Sequence, residues 1–62
     1  MTDLAGLLAA RRLAVLDQAH RLADTAATEG RTFTEREHGQ WETMTAEIEF
    51  IDRALAAGRA AA

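Results

Sequence analysis

The chain is 62 residues long, has no cysteine and no proline, and carries a formal net charge of −3. That length supplies one small domain with no room for an elaborate active site, and the lack of cysteine removes disulfide frameworks and thiolate metal sites. Of thirty hydrophobic residues fifteen are alanine, so the core is thin, and self-association or docking on a partner is the expected way to complete the buried surface.

Taken in chain order, Met1-Thr2-Asp3 places an acid where a signal peptide would carry positive charge, and no apolar run approaches the roughly 18 residues a spanning helix needs. A soluble, cytosolic protein is expected, with no membrane partner. A first helix is predicted over about residues 3–29, capped by Thr2 or Asp3, on the order of 40 Å long. Leu8, Arg12, Val15, Ala19, Leu22 and Ala26 recur at alternating spacings of four and three, and Leu4 extends the stripe toward the N-terminus. Arg12 is the charged residue on this line. Its stem is expected to lie beside Leu8 while its guanidinium reaches water, Asp52 or Glu49.

A turn follows over residues 30–34. Gly30 suits the left-handed residue that ends a helix, and in Thr34-Glu35-Arg36-Glu37 the Thr34 hydroxyl and the Glu37 carboxylate are spaced to form a capping box. Phe33 is expected to close this end. The second helix is predicted over about residues 35–57, with Gly58 as its stop and 58–62 as a fraying tail. Within it Trp41, Met44, Ile48, Ile51 and Leu55 keep strict 3-4-3-4 spacing, a narrow stripe of the coiled-coil kind. A short connector between two long helices predicts an all-α, antiparallel two-helix hairpin with the two stripes facing each other. The small Ala19 and Ala26 then leave room for Trp41 and Met44.

Three large side chains do not fit this seam. Leu13 sits roughly 150° around its helix from Leu8 and Val15, and Phe50 points away from the Ile48–Ile51 line. Leu13 with Ala9 and Leu16 makes one outer apolar strip, and Phe50 with Ala46, Ala54 and Ala57 makes another. Because a two-helix chain has nothing left to cover them, Leu13, Leu16 and Phe50 are expected to face a partner.

Chemistry finds little support. His38 and Glu42 lie one turn apart, but two ligands are too few for a metal. The acids Glu35, Glu37, Glu42, Glu47, Glu49 and Asp52 scatter around a helix without a pocket to shift them. Glu49 with Arg53, and Asp17 with Arg21, are spaced instead as helix ion pairs. Those six acids against Arg36 and Arg53 would repel phosphates, so no nucleic-acid partner is expected. With no phosphate loop or nucleophile elbow, the expectation is a protein that is not an enzyme, with no cofactor and no small-molecule substrate.

From Leu16 through Glu29-Gly30-Arg31-Thr32-Phe33-Thr34-Glu35 to the Trp41–Leu55 register, the sequence resembles the N-terminal scaffolding segment, or delta domain, of tailed-phage major capsid proteins. In that family a helix ends in an E-G-R-x-L-T-x-E-E turn and a second helix follows with the same hydrophobic rhythm. The likeness covers about residues 4–57. Phe33 replaces the usual Leu, and His38-Gly39 inside the second helix is a departure that costs about 1 kcal/mol at the glycine. The resemblance implies helical hairpins that associate with themselves or with major capsid subunits, direct their assembly inside an immature capsid, and are usually cut away. The family's segment is followed by a shell-forming domain, whereas this sequence ends at Ala62. A separately encoded scaffold, a cleaved or shortened segment, and a small protein that redirects or inhibits a capsid all stay open. So does a regulatory adaptor, antitoxin-like or anti-assembly, that binds a protein other than a capsid subunit.

Overall fold

The computed structural model describes residues 3–61, with side chains through Gly58. Two helices account for nearly all of it, α1 (Leu4–Thr28) and α2 (Glu35–Ala61), and no strand occurs among the described residues. They fold back on each other as an antiparallel hairpin, a rod of 46 × 17 × 14 Å.

Each terminus has a local cause. Asp3 occupies the cap position of α1 in an extended conformation, but its carboxylate makes no capping hydrogen bond. Thr2, the other candidate cap, lies outside the described residues. At the other end Gly30 adopts φ +65°. This lets its amide donate to the Ala27 carbonyl (3.1 Å) and the Arg31 amide donate to the Ala26 carbonyl (3.0 Å), the paired bonds that satisfy the last carbonyls of a helix closed by a left-handed glycine. Gly30 is the described glycine with positive φ.

Gly58 therefore does not act as the predicted stop. The helix runs through it to Ala61, because a glycine ends a helix by turning left-handed and Gly58 does not. Flanking alanines have the highest helix propensity, and one interior glycine costs only about 1 kcal/mol against them.

The seam sits where the spacing placed it, with one exception. Val15, Ala19, Ala26 and Ile51 are buried, while Leu8, Leu22, Trp41, Met44, Ile48 and Leu55 are half-buried along the same line. Leu4 is the exception, 68% exposed. It does lie on the line, but it borders an open cleft shared with Ala54, Leu55 and Gly58. Ala54 and Gly58 are too small to reach across and cover a leucine, and Leu55 is itself only half-buried.

Two glycines thus carry opposite expectations. Gly30→Ala forces a Cβ into the left-handed region and should lower stability by about 1–2 kcal/mol. Gly58→Ala, with nothing within 4 Å of the new Cβ, should raise it by roughly 0.5–1 kcal/mol. Denaturant unfolding followed by helical ellipticity measures both.

Candidate functional site

The surface features that could act on something else are two larger clefts, two sets of exposed apolar side chains and the charged turn. The turn is the most tightly bonded part of the molecule. Thr34 and Glu37 form the reciprocal box, the Glu37 amide donating to Thr34 Oγ1 (3.2 Å) and the Thr34 amide donating to Glu37 Oε1 (2.9 Å). Arg31 then clamps the same carboxylate through Nη1 and Nη2, the latter at 3.0 Å, and donates from Nε to Glu29 (2.9 Å). These bonds hold the Glu37 carboxyl down at about 2, first through Arg31 and then through the Thr34 amide, and they push Arg31 above its ordinary value. Phe33, half-buried, meets the Trp41 ring at 5.5 Å between centroids, tilted by 43°.

The role of Arg31 is not visible in a helix pattern, because it joins the end of α1 to the first turn of α2 from a residue that belongs to neither. An acid on each side of it in sequence, Glu29 and Glu37, was the signal available.

Farther along the rod two ion pairs bridge the helices. Arg12 donates from Nε to Asp52 (2.7 Å), and Arg11 binds Glu47 in bidentate fashion (2.8 and 3.1 Å). Adjacent residues stand about 100° apart on a helix, so Arg11 and Arg12 straddle the Val15 line and the two pairs flank the seam on opposite sides. Solvated pairs of this kind add little stability but fix which residues lie level with which. The Arg11–Glu47 pair was missed by the heptad reading, since Arg11 lies just outside the seam. Asp17 and Arg21 pair within α1 at 2.8 Å. Glu49 and Arg53 are not among the ion pairs of the described residues, and an exposed i,i+4 pair has too small a gain to enforce contact.

The outer apolar residues divide between faces. Leu13 is 67% exposed and Phe50 66%. Leu16 is half-buried, so it belongs partly to the helix–helix contact and only its outer edge is free. Leu7, 56% exposed, was not anticipated as a surface residue. The larger cleft, about 840 Å³, is an open groove near the turn, floored by Leu22 and Met44, walled by Gly39 and Thr43, and rimmed by Arg21 and Arg36. The second, about 650 Å³, is the Leu4 cleft at the open end.

His38 Nδ1 lies 3.4 Å from Glu42 on an exposed face, and among the described residues no three His, Cys, Asp or Glu side chains converge as a metal site. No helix of the described residues is long and apolar enough to cross a membrane. No protein-family model matches the chain, and comparison with curated proteins and with solved structures returns no match either.

The turn makes a pH-dependent contribution whose sign follows from Glu37. Its carboxyl is depressed from 4.5 to about 2, so the stabilisation is complete above about pH 4.5 and is lost as pH falls toward 2. Thermal midpoints should drop across that window, and Glu37→Gln should flatten this part of the drop. Thr34→Ala, which removes the cap acceptor, should cost about 1 kcal/mol at neutral pH in the same assay.

Proposed function

We propose that this chain is a non-enzymatic, scaffolding-like protein of tailed-phage assembly. It associates with itself, with major capsid subunits, or with both, and so directs or modulates how those subunits assemble in the host cytoplasm. The observation that carries the reading is the exposure of Leu13 and Phe50, two large hydrophobic side chains, on a hairpin too small to cover them. Isolated apolar residues are ordinary on a surface. Large ones flanked by alanine strips on a rod with so thin a core favour a partner.

The likeness in sequence supplies the class of partner. The Glu29-Gly30-Arg31 turn with Thr34-Glu35 and the Trp41–Leu55 register are the parts that resemble the capsid scaffolding segment. They are also the parts that build the turn and the seam. The hairpin acts as a rigid adhesive rod, and binding is its whole activity.

The Leu13 face is the proposed contact for a capsid subunit. The test is co-expression with a tailed-phage shell-forming capsid subunit, followed by affinity purification of the hairpin. Leu13→Glu should cut recovery of the shell subunit at least about tenfold, a loss of roughly 1.4 kcal/mol. Helicity should not change, because the side chain is already in water. Equal recovery with Leu13→Glu, or no recovery with the unaltered chain, would sink the reading.

A further inference from the structure

We infer that two copies of this chain pair face to face as an antiparallel, two-fold dimer in which Phe50 of each copy seats in the groove of the other. This deepens the proposed function, on whose self-association it rests, by naming the face, the anchor and the receiving site.

The groove and Phe50 share one face of the rod. Thr43 and Phe50 are seven residues apart, two helical turns, so Phe50 continues the groove wall toward the open end. On α1 the groove residues Gln18, Arg21 and Thr25 continue the line of Leu7 and Ala14. One half of the face is therefore concave and apolar-floored, the other half projects an aromatic ring with Leu7 on the helix beside it, and the Arg11–Glu47 pair lies between the two. Phe50 lies about 15 Å along α2 from the middle of the groove. A two-fold axis through the point midway, near Ala14 and the Thr43–Glu47 turn, carries each ring onto the opposite groove. An interface of this self-complementary kind closes at two copies and grows no further.

The exposed area is large enough to supply a contact with a second copy. A compact chain of 6.7 kDa exposes about 3,900 Å² by size scaling. This one exposes 4863 Å², an excess of about 950 Å² over that figure. A standard interface takes roughly 800 Å² from each partner, so one dimer contact removes most of the excess.

Gly39 supplies a second, independent argument. It lies inside α2, where glycine costs about 1 kcal/mol against alanine, and a Cβ built on it meets nothing within 4 Å. Gly39 lines the larger groove beside Arg36 and Thr43, where a side chain would stand in the path of an entering ring.

The test is sedimentation equilibrium from micromolar to millimolar concentration, with helicity by circular dichroism as the control for folding. The unaltered chain is expected at twice 6.7 kDa. Phe50→Glu removes the anchor and Gly39→Gln fills the groove with a polar side chain, and each variant alone should fall to the single mass with its helices intact. Mixing the two leaves one ring and one groove undamaged in each mixed pair, so the mixture should recover more double-mass species than either variant alone. An unaltered chain that stays at the single mass overturns the inference, as does a dimer that either variant leaves whole, or a mixture with no recovery. A single-mass chain that still retains the shell subunit through Leu13 defeats this inference alone. A dimer that retains no shell subunit upholds it and defeats the capsid reading.

Discussion

Two helices laid side by side share one line of contact, and each can turn only a stripe of its circumference, on the order of 100°, toward the other. Here that line is filled by Val15, Ala19, Ala26 and Ile51, with Leu8, Leu22, Trp41, Met44, Ile48 and Leu55 half-covered along its edges. Two of the buried four are alanines, which let the helices come close but bring little apolar area with them. The same limit leaves Leu7, Leu13 and Phe50 in water. Their exposure follows from the number of helices, and any reading of what the protein does begins there.

Because the seam is thin, polar bonds specify what packing alone would leave ambiguous. Two stripes of similar residues can slide past one another by a turn with little loss of apolar contact. Arg11–Glu47 and Arg12–Asp52 oppose this from both sides of the seam, since a slip of one turn parts both pairs together. At the tip, the Arg31–Glu37–Thr34 network fixes how the chain leaves α1 and enters α2. Among the described residues no buried side-chain nitrogen or oxygen lacks a partner, so this specification strands no polar group inside the seam.

What could be read from the sequence was local or periodic. The capping box needs only Thr34 and Glu37, three residues apart, and the seam needs only a repeat, so the hairpin and most of its contact line were legible. Leu4 was misjudged because periodicity reports which way a residue points and is silent on what stands opposite, in this case Ala54 and Gly58. Gly58 was misjudged because glycine permits a left-handed turn without demanding one. Gly30 takes that turn, supported by the Ala26 and Ala27 carbonyls. The groove was not legible at all. It is a space between side chains of both helices, and no single-helix pattern encodes an empty volume.

The binding of Arg31 has a consequence for how the rod survives among proteases. An exposed connector between two helices is ordinarily the first place a chain is nicked, and an arginine there is the residue that trypsin-like enzymes draw into a deep acidic pocket. In this connector the guanidinium is already held by the carboxylates of Glu29 and Glu37 and by the Thr32 carbonyl. A trypsin-like enzyme must first draw the guanidinium away from these three partners, so the network that tethers the hairpin also opposes cleavage after Arg31.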